Sequence, residues 1–276
     1  MGPTGTGMTT FISQAIGQDY GDGHSLQSFT KCVSAVRVTL DYTRIVLVDT
    51  PGFDDKELSD LEVLEIISDW FKKIFEQGST LSGLLYMHSI AENRMDYTAR
   101  TNLTMFGELC GKECFEKAAL ITTMWPDEDH GDFDVSVTRE TELKQKFWTN
   151  LIDGGARTLR FKNTQQSAWQ ILDRLIALGL EERSILIQHE LVTLKKKLRD
   201  TSAGKQLCNI VDCLVKEQTN VIRRMQGELD RADADAVQSS LAELAELRQL
   251  RERTIQDAQA LDSSLLRQLR RMFQGA

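Results

Sequence analysis

The chain has 276 residues, with 41% hydrophobic and 27% charged residues and a formal charge of −8. An acidic balance of this kind excludes a general nucleic-acid binder, which needs a basic face. Five cysteines at irregular spacing exclude a disulfide framework. The longest apolar runs, residues 45–48 and 81–87, are too short for a transmembrane segment, so a cytoplasmic setting is expected.

In chain order, the opening GPTGTGMTT is a glycine-rich loop, and residues 11–16 read as the start of a helix. Residues 33–42 alternate apolar and polar positions as a strand does. Residues 44–49 are mostly β-branched and apolar, as in a strand buried on both faces. Pro51 and Gly52 punctuate it. Residues 58–75 have helical periodicity, 81–87 form a third strand, 102–109 a helix and 118–123 a fourth strand. A helix over 140–151, a fifth strand over 156–161 and a helix through Trp169, Ile171, Leu172, Leu175 and Ile176 complete the pattern. Strand and helix alternate, which argues for a mostly parallel sheet flanked by helices. From Leu180 the strands stop. Ile187, Leu191, Leu194 and Leu198, then Leu207, Val211 and Leu214, then a stretch from Val237 to Leu265, follow heptad-like spacing. Two or three amphipathic helices are expected there, partly as coiled coil, with a break at 201–204. The domains are therefore residues 1–178 and a helical tail, 179–276.

A phosphate loop needs Gly, four residues, Gly, Lys and then Ser or Thr. Gly2 and Gly7 bracket Pro3, Thr4, Gly5 and Thr6; Met8, Thr9 and Thr10 follow. Backbone N–H groups of such a loop converge on phosphate oxygens at a helix N-terminus. Thr9 has the hydroxyl that holds Mg²⁺. Met8 stands where the lysine is expected and cannot supply its charge. Charge-assisted contacts contribute about 1.5–3 kcal/mol each, so nucleotide affinity falls about ten- to a hundredfold without vanishing. Asp49-Thr50-Pro51-Gly52 ends a buried strand, as a Walker-B aspartate does, and Gly52 lets backbone approach a γ-phosphate.

These motifs, with GHSLQSFT, DTPGFDD, LSGLLYMHSIAENRM, NLTMFGELCG, LITTMWP and RFKNTQQSAWQI, make residues 1–178 resemble the fungal branch of GTPase-like proteins related to the septins and the immunity-associated GTPases. The resemblance implies a GTPase-type P-loop NTPase fold, a switch-one threonine at Thr30 and switch-two roles for Asp49 and Gly52. It also implies Mg²⁺ held by Thr9, Thr30 and Asp49 with GTP or GDP, and contacts to the base from Thr123, Trp125 and Asn163. Trp125 occupies the place of the aspartate that reads guanine; an indole stacks on a base but does not read its edge as a carboxylate does. Members of this branch have a strand immediately before the phosphate loop, between the strands at 44–49 and 81–87. Its absence here leads us to expect a truncated gene model or a degenerate copy.

Catalytic candidates are Thr30, Gly52 and Arg94, the last as an arginine finger across a dimer or as a surface ion pair. Cys110 and Cys114 share a helical face and are expected to be buried packing. The histidines and cysteines lack zinc spacing. The functional expectation is a guanine-nucleotide-binding switch or scaffold with weak or absent hydrolysis, homodimeric through its G domain or tail. The alternative is a pseudo-GTPase that acts through the helical tail.

Overall fold

A computed structural model describes residues 1–20, 32–40, 43–53, 58–128, 132–177 and 184–229, with isolated positions between 245 and 256. Two compact units make up the chain, Met1–Lys196 and Lys197–Ala276.

In the first unit, helix α1 (Met8–Ile16) leaves the glycine loop and buries Phe11, Ile12 and Ala15. Strands β1 (Ser34–Leu40) and β2 (Thr43–Asp49) pair antiparallel, with Ser34 opposite Asp49 and Leu40 opposite Thr43. Two intervening residues are too few for a crossover, so this hairpin is the geometry the chain can reach. Helix α2 (Asp60–Glu76) starts at a capping box: Ser59 Oγ accepts from the Glu62 N–H, and the Glu62 carboxylate accepts from the Ser59 N–H at 2.8 Å. Two backbone donors of the first turn are thereby satisfied. The helix buries Leu61, Val63, Leu64, Ile67 and Phe71, positions three and four apart on one face.

Strand β3 (Leu84–Ser89), helix α3 (Tyr97–Cys110) and strand β4 (Ala118–Thr123) come next, then helices α4 (Asp132–Glu142) and α5 (Thr149–Asp153), strand β5 (Arg157–Arg160) and helix α6 (Gln165–Ile176). Strands β3, β4 and β5 form a parallel sheet in that order. All six residues of β4 are buried, as expected of a central strand covered on both faces. The helix expected over 140–151 begins earlier, at Asp132, and continues beyond Glu142 through a π-helical turn, Leu143–Phe147, into α5. Its first turns hold Val135, Val137 and Thr138, poor helix formers, and α4 buries only Ser136 and Glu140. No apolar stripe announces it; tertiary contacts and the acids of its first turn, Asp132 and Asp134, support it.

The sheet is in two pieces: among the described strands, β2 and β3 are not hydrogen-bonded to each other. Residues 1–3 run between them. The Met1 amine donates to Leu85 O at 2.8 Å, the Met87 N–H donates to Met1 O at 2.9 Å, and Pro3 forms a parallel bridge with Phe53. The place that the family resemblance assigns to a full strand is thus held by these three residues. One apolar core joins the pieces: Phe11 and Ile12 of α1 meet Val38 and Leu47 of the hairpin, Met87 and Ile121 of the parallel sheet, and Ile171 and Leu172 of α6. Truncating a buried aromatic here, such as Phe11, costs about 3–5 kcal/mol.

Beyond α6, helix α7 (Leu186–Gln188) and its π-helical continuation His189–Thr193 pack on α2 and α3. Gln188 Nε2 donates to Phe71 O at 3.3 Å. These residues, assigned to the tail by the change of periodicity, belong to the first compact unit. In the second unit, α8 (Ser202–Leu229) runs for 28 residues. The break expected at 201–204 is its N-terminus, where Thr201 Oγ1 accepts from the Gly204 N–H at 3.0 Å. Most of the apolar stretch at 237–265 lies outside the described residues. Among the described residues, no helix is long and apolar enough to cross a membrane.

Candidate functional site

The phosphate side starts at the glycine loop. Gly5 and Gly7 have φ of 85° and 88°, a left-handed conformation that glycine adopts without steric cost. Thr6 is buried and folds back to donate from Oγ1 to Pro3 O at 2.8 Å. Gly7 then caps α1 with no side-chain cap. The first-turn N–H groups have no intrahelical acceptor, so they face whatever anion approaches the loop. Thr9 and Asp49 meet here: Thr9 Oγ1 donates to Asp49 Oδ2 at 3.1 Å, and Asp49 is 3% exposed. The loop after β2 lies directly against the glycine loop. Thr4 N–H donates to Phe53 O at 3.4 Å, and a Cβ on Gly52 would stand 2.7 Å from Thr4 Oγ1 and 2.9 Å from Thr4 N. Gly2 is equally constrained, since a Cβ there would stand 2.4 Å from Met87 O. Met8, in the lysine's place, is half-buried and packs against the apolar core.

Magnesium prefers oxygen donors and is usually held by one or two carboxylates together with substrate phosphates. A hydroxyl and a buried carboxylate 3.1 Å apart match half of that set. Among the described residues no three His, Cys, Asp or Glu side chains converge on a metal position, so any ion here shares its shell with the ligand's phosphates.

Beside the glycine loop lies a cavity of about 740 Å³ lined by Gly7, Thr10, Met124, Trp125, Phe161 and Asn163, among others. Thr123 is buried and ties β4 to the phosphate loop; its hydroxyl donates to Thr6 O at 2.9 Å. The indole of Trp125 is engaged on several sides. Its Nε1 donates to Thr122 Oγ1 at 3.1 Å, the Arg160 guanidinium lies 4.2 Å over its ring, and Phe133 approaches at 5.7 Å. Arg160 is held in turn by a two-pronged pair with Glu140, Nε to Oε1 at 3.1 Å and Nη2 to Oε2 at 2.6 Å. Burial works against ionisation of Glu140, but hydrogen bonds and charge from Arg160 and Lys144 outweigh it and hold its carboxyl below the usual range.

No protein-family model matches the chain, and no curated protein matches it. Solved structures do. Toc33 from Arabidopsis thaliana with GDP and Mg²⁺ is 16% identical over 67% of this chain and 84% of its own, with a TM-score of 0.52. Toc33 with Mg²⁺ and GMPPNP is 17% identical over 67% and 85%, with a TM-score of 0.51. A structure described by the role of dimerisation in the GTPase activity of the chloroplast translocon components atToc33 and psToc159 is 16% identical over 67% and 83%, with a TM-score of 0.54. The fold is that of a P-loop GTPase domain.

Within this fold the remaining candidates are more scattered. Thr30 lies outside the described residues. Arg94 is exposed in the loop between β3 and α3. Cys110 and Cys114 are both buried thiols outside any disulfide; Cys110 Sγ donates to Cys114 O at 3.4 Å, and burial pushes its pKa up to about 12. A thiol so resistant to ionisation is a poor nucleophile. Sequence reasoning missed Arg160 and Glu140, which control the Trp125 ring, and Met124, which reaches the cavity. Only the opposite charges of the first two hint at their pairing, and 20 residues separate them.

Proposed function

We propose that this chain is a guanine-nucleotide-binding switch or scaffold that hydrolyses GTP weakly or not at all. The observation that carries the reading is the meeting of Thr9 and Asp49 at the mouth of an uncapped glycine loop. Backbone amides from Gly5 through Thr10 would hold the β- and γ-phosphates, while Thr9 and Asp49, with Thr30, would supply protein oxygens to Mg²⁺. When bound, that ion neutralises charge on the phosphates. Gly52, packed against Thr4, would sense the γ-phosphate through its backbone and so report the ligand's state to the following loop.

Weak hydrolysis follows from Met8. Its side chain lies on the apolar core and brings no charge to oxygens that become more negative in the transition state. The same observation favours a second reading, a pseudo-GTPase that works through its tail, where α8 is a long amphipathic helix. The finer likeness, to the fungal septin-related branch, belongs to this proposal, as do a cytoplasmic setting and coiled-coil pairing of the tail. Toc33 and its relatives are described as dimerising. By analogy the partner here is a second copy of the chain, with exposed Arg94 reaching across. Equilibrium binding of fluorescently labelled GTP with and without Mg²⁺ tests the reading. Saturable, Mg²⁺-dependent binding supports it; no saturation at high micromolar nucleotide rejects it in favour of the pseudo-GTPase.

A further inference from the structure

Among the described residues, three that are not glycine have positive φ: Met124 at 57°, Asn163 at 53° and Lys195 at 51°. Two of them, Met124 and Asn163, line the same cavity beside the glycine loop. They follow the ends of neighbouring strands, β4 and β5, where an open α/β sheet presents its ligand site. Asparagine tolerates the left-handed conformation because its side chain bonds locally. Methionine has no such excuse, and glycine would sit there with less strain. Strained backbone that persists beside a cavity is a reason to ask what its side chain does.

Strand β4 is buried along its whole length, Thr122 and Thr123 included, yet Met124 is 50% exposed. The left-handed turn ejects its side chain from the sheet. Its Cε lies 3.6 Å from the point that a Cβ on Gly7 would occupy, so the thioether hangs over the inner end of the phosphate loop. Trp125, the residue expected to face a base, has one face of its ring covered by Arg160 and its N–H bonded to Thr122. Phe161 is turned inward, edge-on to Phe11 at 5.1 Å.

We infer that Met124, not Trp125, is the platform on which the base of a bound nucleotide rests, with Asn163 at the rim of the same cavity. The inference depends on the nucleotide reading above and extends it to the base. A polarisable thioether makes a favourable contact with an aromatic face. Every base has such a face, so the platform holds a purine without choosing between guanine and adenine.

The Met124→Gly variant separates this role from a structural one, because glycine relieves the backbone strain. Titration calorimetry of the full chain with Mg²⁺ would compare GDP with inorganic tripolyphosphate. We expect Met124→Gly to weaken GDP about three- to tenfold, leave tripolyphosphate within about twofold, and melt no earlier than the parent. Met124→Leu, which keeps an apolar stem, should keep GDP affinity within about twofold. Equal weakening of both ligands would make Met124 a lid on Gly7 and overturn the platform. Unchanged GDP affinity would overturn it as well, while leaving the nucleotide reading standing. Should the parent bind tripolyphosphate but gain nothing from the nucleoside, the base site is refuted and the phosphate loop survives. If the parent binds neither ligand, the nucleotide reading fails and takes this inference with it.

Discussion

On the phosphate side, backbone makes the geometry: two glycines at positive φ, Thr6 folded onto Pro3, and Gly52 pressed against Thr4. On the base side, side chains make it. Glu140 holds Arg160, Arg160 covers Trp125, and Met124 is thrown outward by a strained turn. The first arrangement depends on residues close in sequence and on glycine at fixed spacing. The second is assembled from β4, α4 and β5. A backbone-built cradle tolerates the loss of one charged side chain, whereas a side-chain-built one has no such fallback.

The sharpest way to break the comparison is Asp49→Ala. It is the one side chain on which the phosphate side relies for charge, and its removal should weaken Mg²⁺-dependent GTP binding about a hundredfold or more. Titrations with and without Mg²⁺ should then coincide. A variant that keeps its Mg²⁺ dependence would show that Asp49 is not what ties the metal to this half.

Acid probes the floor beneath both halves. His88, the penultimate residue of β3, is almost fully buried, edge-on to Trp148 at 6.2 Å, and its Nδ1 has no hydrogen-bond partner. Burial lowers its pKa to about 4, partly offset by the charge of Asp96. The unfolded chain therefore takes up the proton first as pH falls. The stabilising contribution is complete above pH 6.5 and is lost as pH drops towards 4, up to about 3 kcal/mol. Urea midpoints measured from pH 7 to pH 4 should show that slope, and His88→Leu should flatten it.

Met8→Lys adds the missing charge to the backbone cradle. Affinity for GTP should rise about ten- to a hundredfold; an unchanged value would mean that the loop is not wrapped around phosphates. The smallest effect on phosphate binding belongs to the base side. Arg160→Leu uncovers the Trp125 ring and leaves the buried Glu140 carboxylate to Lys144 alone among the described residues, at a cost of about 1–3 kcal/mol in stability. Tryptophan fluorescence should shift, while tripolyphosphate binding stays as it was.

How much of this was legible in the sequence follows the same division. Glycine spacing and an Asp-Thr-Pro-Gly turn after a β-branched run announce the phosphate side because they encode local backbone geometry. Buried β4 and the capped, periodic α2 and α6 are visible for the same reason. By contrast, α4 begins among β-branched and acidic residues without an apolar stripe, and only packing reveals it. Trp125 looks like a base platform in the sequence; the competing guanidinium sits 35 positions away at Arg160. Positive φ at Met124 leaves no mark on composition at all. The two-piece sheet is likewise a matter of which strands meet, which periodicity does not encode.

Asp49 rides on the last residue of a two-stranded ribbon. Such ribbons are marginal alone, and this one is fastened to the rest by α1, by the Pro3–Phe53 bridge and by the hydroxyl of Thr9. Any ligand gripped by Thr9 and Asp49 together would therefore serve as a clasp between ribbon and body. Loading would be felt along the whole ribbon, and slower amide exchange across residues 43–49 would be its signature.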